Sequence, residues 1–124
     1  RQKATSNICS NQGIMTLHAA MYLSLMGNSG MAEVNRLSYE AAHSLAAALT
    51  ETGKMTLKYP DAPFFNEFVV ETAEPLTADR VLDALAAEDI LGGIRLGESS
   101  ILLAATEMNT PEDIERYVST VKNL

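Results

Sequence analysis

Cysteine, histidine and basic residues are all scarce in this sequence, and each scarcity excludes a class of function. The single cysteine, Cys9, cannot form a disulfide within the chain, which is typical of proteins from a reducing cytosol. We expect it to be a small buried apolar residue rather than a nucleophile, because no histidine lies near it in the sequence. The two histidines, His18 and His43, lack cysteines or carboxylates at ligand spacing, so we predict no metal site.

The charge balance and the longest apolar run exclude two further classes of partner. Nine basic residues are outnumbered by sixteen acidic ones, which gives a net charge of -7, and the basic residues are scattered along the chain. No stripe of them exists to neutralise phosphates, so we predict no nucleic-acid binding. The apolar run at residues 14–26 contains polar interruptions and is too short to span a bilayer. We therefore predict a buried helix there, with no membrane partner and no signal peptide.

Periodicity predicts an α+β fold for the 124 residues. Apolar residues at helical spacing indicate helices, whereas alternating β-branched and aromatic residues indicate strands. Thr77 and Thr110 are predicted N-caps, and Pro111 and two acidic residues after Thr110 strengthen the second of these helix starts. In chain order we predict helices at residues 10–26 and 31–52, strands at 55–59 and 64–71, a helix at 77–87, strands at 94–96 and 101–106, and a helix from residue 110.

This order of elements predicts a mostly antiparallel sheet with helices on one face, preceded by two long helices. A turn at Gly27, Asn28, Ser29 and Gly30 is expected to separate the two leading helices. The first of them carries apolar or small residues on nearly every side, and such a helix is usually buried on every side. We therefore expect the leading helices to cover surface that belongs to another region or to a partner.

Four segments of the chain also resemble one known protein family. The first is RQKATSNICSNQ at residues 1–12, which is similar to the family pattern R-x-K-A-T-S-N-I-C-[ST]-x-Q. The others are F-N-E-F at residues 65–68, G-G-x-x-L-G at residues 92–97, and T-E at residues 106–107. The family is glycine dehydrogenase (decarboxylating), the pyridoxal-phosphate protein of the glycine cleavage system. The resemblance covers essentially the whole chain and fits the first of the family's two homologous halves, which are separate subunits in many bacteria.

The resemblance implies the fold of type I pyridoxal-phosphate enzymes, which have a large cofactor domain and a small C-terminal domain. On this basis residues 1–27 would be the end of the large domain and a connecting helix, and residues 28–124 the small α+β domain. The family's lysine that forms a Schiff base with the cofactor belongs to the large domain of the second half. Since the chain also begins at Arg1 rather than at methionine, we expect it to be part of a longer protein.

The resemblance further implies a reaction and its partners. The parent enzyme would decarboxylate glycine with pyridoxal phosphate and pass the aminomethyl group to the lipoyl arm of the H-protein. Its partners would be the second subunit, which carries the Schiff-base lysine, and the H-protein, in a bacterial cytoplasm. For this chain alone we expect no catalytic, cofactor-binding or metal residues, no pyridoxal phosphate and no activity. We also expect it to self-associate through apolar surface that the parent covers.

Five polar residues are candidates for a place at the subunit interface or near the active site. Thr5, Ser6 and Asn7 precede the first helix, where they either cap that helix or lie at the boundary with the catalytic subunit. Asn66 and Glu67 lie on an otherwise apolar strand, where a buried carboxylate would need partners. One of the two is expected to point to solvent, and the other to hold the sheet against the large domain.

Four charged or titratable residues have simpler interpretations. We expect Lys54 and Lys58 to lie at a helix end and on an edge strand, where a charge hinders further strand pairing, because a Schiff-base lysine needs a desolvated pocket. His18 is expected to be a hydrogen-bonded core histidine. Arg95 is expected at the surface rather than on a substrate carboxylate, since the resembling half of the enzyme is non-catalytic.

Two alternatives to the glycine dehydrogenase hypothesis stay open. The chain can be the small domain of another type I enzyme, such as an aminotransferase, although the match at residues 5–9 argues against it. It can also be a non-enzymatic α+β binding module that acts alone, although two leading helices would then have little to cover. Without the resemblance, the residues predict only an α+β domain.

Overall fold

The computed structural model describes residues 10–124, apart from the side chains of Ser10 and Asn11. Three helices and four strands follow one another in the order predicted for this class of fold. They are α1 (Ser10–Glu51), β1 (Met55–Leu57), β2 (Glu67–Thr72), α2 (Ala78–Ala87), β3 (Ile94–Arg95), β4 (Ser100–Ala104) and α3 (Pro111–Lys122). The chain divides into two compact units, Arg1–Glu33 and Val34–Leu124.

A single residue interrupts α1. Gly27 has φ 60° and ψ -172°, a combination outside the helical region that is essentially restricted to glycine. The two predicted leading helices are therefore the stretches of α1 before and after Gly27. The predicted four-residue turn is wrong, because one glycine in this conformation is enough to break the helix and the next three residues are already helical.

The four strands form one antiparallel sheet in the order β1-β2-β4-β3. Phe68 lies opposite Leu103, and Val70 lies opposite Ile101. Because paired residues of an antiparallel sheet point to the same face, these four side chains share one side. They are all buried, whereas Glu67 and Ala104, which pair on the opposite side, are exposed. One face of the sheet is thus apolar and covered.

The core of the second unit lies between that face of the sheet and the helices. Its buried apolar residues come from all three helices and three of the strands, which confirms the prediction of an α+β fold with helices on one face. They are Ala42, Leu45, Ala46, Leu49, Met55, Phe68, Val70, Ala78, Val81, Leu85, Ile101, Leu103, Ala105, Tyr117 and Val121.

Both predicted N-caps are confirmed. Thr77 caps α2, since its side chain accepts a hydrogen bond from the backbone N–H of Arg80. Thr110 caps α3 in a reciprocal arrangement: its hydroxyl accepts from the Asp113 N–H at 3.2 Å, and an Asp113 carboxylate oxygen accepts from the Thr110 N–H at 3.0 Å. Each cap satisfies a backbone donor that the helix leaves without a partner.

The second strand begins three residues later than predicted. We expected it at residues 64–71, but β2 spans Glu67–Thr72. The partner strand β4 ends at Ala104, opposite Glu67, so no strand is available to pair with the residues before it. The Asn66 carbonyl still accepts a hydrogen bond from the Ala105 N–H, at 3.0 Å. The two phenylalanines before Asn66 leave the sheet and contact α1 instead.

Candidate functional site

The most unusual surface of the chain is the N-terminal part of α1, before the Gly27 interruption. Seven large apolar side chains at residues 14–25 are between 45% and 83% exposed: Ile14, Met15, Leu17, Met21, Tyr22, Leu23 and Leu25. We call these residues the apolar collar. A contiguous apolar surface of this kind in a soluble protein usually marks a place where another surface binds. This exposure agrees with the expectation that the chain by itself presents apolar surface, and the covering of that surface by another region or a partner stays a prediction.

The prediction for His18 is wrong. We expected a core histidine, but His18 is exposed on the same helical stretch, and its Nδ1 lies 2.9 Å from the Ile14 carbonyl oxygen one turn earlier. The error follows from the prediction of a buried helix, because the side chains around His18 are exposed as well.

An aromatic cluster joins α1 to the F-N-E-F segment within the second unit. The His43 ring lies between Tyr39, at a centroid distance of 3.9 Å, and Phe64, at 4.0 Å. Its Nε2 donates to the Phe64 carbonyl oxygen at 3.2 Å. Phe65 and Phe68 extend the cluster at 6.4 Å from Tyr39 and 5.1 Å from Phe64. This cluster holds the segment that precedes β2 against α1, and it was not predicted from the sequence.

Asn66 and Glu67 follow this cluster directly. Glu67 is exposed on the face of the sheet opposite the helices, and Asn66 is half-buried at the strand's beginning. This matches the expectation that one of the two points to solvent. Whether the other contacts a further domain stays a prediction, as does the placement of residues 1–27 in a large domain. Thr5, Ser6, Asn7 and Cys9 lie outside the described residues.

The T-E segment is attached to α1 through one buried hydroxyl. The Ser38 side chain is 5% exposed, and its Oγ accepts from the Glu107 N–H at 3.1 Å and donates to a Glu107 carboxylate oxygen at 3.3 Å. A residue with no apparent role in the sequence thus fixes the loop after β4. In the sequence, the one indication of this contact was that Ser38 lies at helical spacing from residues on the buried side of the helix.

Steric crowding explains why both residues of the G-G pair at positions 92–93 are glycines. A Cβ on Gly92 would lie 2.5 Å from a Leu85 methyl carbon, and one on Gly93 would lie 2.5 Å from the Leu102 carbonyl oxygen. Beside the pair, the Tyr117 hydroxyl donates to the Gly92 carbonyl oxygen at 2.7 Å. Burial of the tyrosine raises the pKa of its hydroxyl above the usual range, so it is a fixed donor there.

The two mid-chain lysines differ in their surroundings. Lys58 lies directly after the edge strand β1 rather than on it as predicted, and its Nζ lies 2.9 Å from a Glu71 carboxylate oxygen and 3.0 Å from the Ser100 hydroxyl. The hydrogen bond that Lys58 donates to Glu71 raises the pKa of Lys58, and the same contact lowers the pKa of Glu71. A lysine held in its charged form is a poor nucleophile. Lys54 is half-buried in the turn after α1.

Arg95 lies at the surface, as expected. Its Nε is 3.1 Å from an Asp79 carboxylate oxygen and also donates to the Gly97 carbonyl at 3.2 Å. Among residues 10–124, no group of three or more His, Cys, Asp and Glu side chains is placed to hold a metal ion. No helix of that same part of the chain is long and apolar enough to cross a membrane.

Comparison with solved structures defines the class of fold first. The chain matches a phosphoserine aminotransferase from Cytophaga hutchinsonii with a TM-score of 0.63 and 17% sequence identity, over 82% of this chain and 28% of that one. At this identity the likeness concerns the fold alone, which this chain shares with part of that aminotransferase. A crystal structure of glycine decarboxylase (P-protein) of the glycine cleavage system, in inhibitor-bound form, matches with a TM-score of 0.82 and 37% identity, over 99% of this chain and 28% of that one.

Sequence comparison then gives the family. The chain belongs to the glycine cleavage system P-protein family, whose sequence model matches residues 1–121. It is 42% identical over 127 aligned residues to a probable glycine dehydrogenase (decarboxylating) subunit 1 of Chlorobaculum parvum, and 43% identical to that of Chlorobium limicola. Both alignments cover 100% of this chain and 28% of the relative, so the chain spans just over a quarter of the length of these relatives.

Proposed function

We propose that the chain is a structural and interface part of subunit 1 of a bacterial, cytoplasmic glycine dehydrogenase (decarboxylating). The parent enzyme would decarboxylate glycine and transfer the aminomethyl group to the lipoyl arm of an H-protein. Pyridoxal phosphate would supply the electron sink for that reaction when bound. We place the lysine that holds it on a second subunit, and we assign the residues of this chain to packing and assembly.

The observation that carries this proposal is the apolar collar at residues 14–25, in a chain that spans 28% of its relatives' length. Burying apolar surface contributes roughly 25 cal/mol per Å². Seven large side chains that are about half exposed or more leave much of this stabilisation unused in the chain alone. A covering surface in the parent enzyme would recover it, which makes the collar the proposed interface.

Pyridoxal phosphate does not fit the described residues. Lys58 is ion-paired and kept protonated, so it lacks the neutral amine that bond formation with an aldehyde needs. Phosphate groups are often bound by free backbone donors at a helix N-terminus. Thr77 and Thr110 already cap α2 and α3, so the side chains of these two residues occupy backbone donors at both helix N-termini.

One experiment on the chain tests the proposed interface. Sedimentation velocity at increasing concentration should show self-association, because the collar has no covering surface in the isolated chain. Changing Leu17 and Leu25 together to Asp should make the chain monomeric. Leu91, which is completely exposed in the second unit, provides the matched control, and Leu91→Asp should leave association unchanged. A wild-type chain that stays monomeric at high concentration would contradict the interface assignment.

A second experiment tests the absence of a cofactor site. The chain is titrated with pyridoxal phosphate, reduced with borohydride and mapped by mass spectrometry. We expect only slow, nonspecific labelling spread over the exposed lysines. A stoichiometric adduct at Lys54 or Lys58 would contradict the assignment of the chain to packing and assembly.

A further inference from the structure

A cavity of about 450 Å³ lies between the end of α1 and the start of α2, within the second unit. Lys54 reaches it from the turn after α1, and Arg80 reaches it from the first turn of α2. Glu74, in the loop before α2, is the one carboxylate side chain among the residues that line it. Two positive side chains and one negative side chain therefore line this cavity, as does Leu124, the last residue of the sequence.

Neither of these two cations has an ion-pair partner among the described residues; Lys122 there lacks one as well, but it lies outside the cavity. In the part of the chain that the structure describes, ion pairs occupy Arg36, Lys58 and Arg95, and Arg116 donates to a backbone carbonyl. Within that same part, the side chains of Lys54 and Arg80 form neither an ion pair nor a hydrogen bond. Lys54 is in addition half-buried, and a partly desolvated charge without a partner is costly. An anion in the cavity would remove that cost.

We propose that this cavity binds a small oxyanion with at least two negatively charged oxygens, of the size of inorganic phosphate. The Lys54 ammonium supplies a compact charge with three donors, and the planar Arg80 guanidinium supplies paired donors that match the spacing of two oxygens. Glu74 repels the same ligand and so sets a low affinity. The site is separate from the apolar collar, and it does not depend on the function proposed for the chain.

The test is a titration of the 124-residue chain with inorganic phosphate at constant ionic strength, with chloride as the reference anion. Backbone amide shifts in two-dimensional NMR spectra report binding, and saturable shifts should be confined to residues 52–54, 73–76 and 80. Lys54→Met and Arg80→Met should each weaken binding about tenfold, the change expected from losing one hydrogen bond between charged groups. Lys122→Met removes an exposed lysine outside the cavity and should leave the affinity unchanged.

A fourth variant reverses the sign of the effect. Glu74→Gln removes the carboxylate that lines the cavity and should tighten phosphate binding about threefold. This gain cannot arise from unfolding, so it keeps the proposal testable even if a cation variant loses stability. Shifts that do not saturate, or equal weakening by Lys54→Met and Lys122→Met, would show that phosphate only screens the surface and would overturn the proposal. An unchanged or weaker affinity in Glu74→Gln would overturn it as well.

Discussion

Replacement of Gly93 by alanine should destabilise the chain more than any other single methyl addition in the same loop. Gly93 has φ 119°, a backbone conformation that residues with a Cβ rarely adopt. Its added Cβ would lie 2.5 Å from the Leu102 carbonyl oxygen, 2.7 Å from a Leu103 methyl carbon and 3.0 Å from an Ile101 methyl carbon. The first of these atoms belongs to the backbone of β4, which also pairs with β3 at Ile94 and Arg95, so the clash can be relieved only by moving the sheet.

The magnitude follows from two costs and one gain. A residue with a Cβ in a sparsely populated backbone region costs on the order of 1–3 kcal/mol. Overpacking against a fixed core adds about 1–3 kcal/mol. Alanine reduces the entropy of the unfolded chain, which returns roughly 0.4–1 kcal/mol. The net loss should therefore be about 3 kcal/mol, a large part of the ~5–15 kcal/mol that stabilises a typical domain.

Urea denaturation followed by far-UV circular dichroism measures this loss, with Gly97→Ala as the matched control. Gly97 belongs to the same G-G-x-x-L-G segment, but a Cβ there would meet only the Ser100 Cβ, at 4.0 Å. We expect the control to unfold within about 0.5 kcal/mol of the wild type, as most uncrowded surface substitutions do. If Gly93→Ala and Gly97→Ala unfold at the same urea concentration, the steric explanation of the glycine pair is wrong.

Three further predictions address the caps, the ion pair and the opening segment. Thr110→Ala should lower the free energy of unfolding by about 1 kcal/mol in denaturant melts, since it removes an N-cap hydroxyl, and an unchanged midpoint would contradict its role. Glu71→Gln should destabilise the chain at neutral pH. The folded-state pKa of Glu71 is lowered from 4.5, so the stability that its carboxylate gives is present above that value. The difference in stability between variant and wild type should therefore vanish as acid titrates the carboxylate. A difference that does not change with pH would refute this. In the intact enzyme, the double variant Ser6→Ala, Asn7→Ala should reduce glycine–bicarbonate exchange without changing the melting temperature if these residues lie near the catalytic subunit. A loss of stability of about 1–2 kcal/mol with full exchange activity would instead show that they only cap the helix.

Features that depend on neighbours in the sequence were predictable. Thr77 and Thr110 were identified as caps because a cap needs only its own side chain and the backbone two or three residues later. The order of the elements and the one-sided sheet followed from periodicity for the same reason. The edge position of β1, directly before Lys58, was also predictable, since this strand is short.

Features that depend on distant contacts were not predictable. The His43 ring is held by Phe64, twenty-one positions later, so no local pattern distinguishes it from an ordinary polar residue of a helix. The late beginning of β2 has the same origin, because it is fixed by where β4 ends. The error at His18 is different in kind. Apolar composition predicts that a surface will be covered, but it does not say which polypeptide covers it.

The two stretches of α1 differ in whether their apolar side chains are covered by residues of the same chain. Beyond Val34, its apolar side chains have partners inside the second unit, and Leu45 and Leu49 are 6% and 0% exposed. Before Gly27 the side chains are just as apolar, yet Leu17 and Leu25 are 60% and 83% exposed. The same hydrophobic effect therefore acts on both stretches, but only the second is satisfied by residues of the described chain.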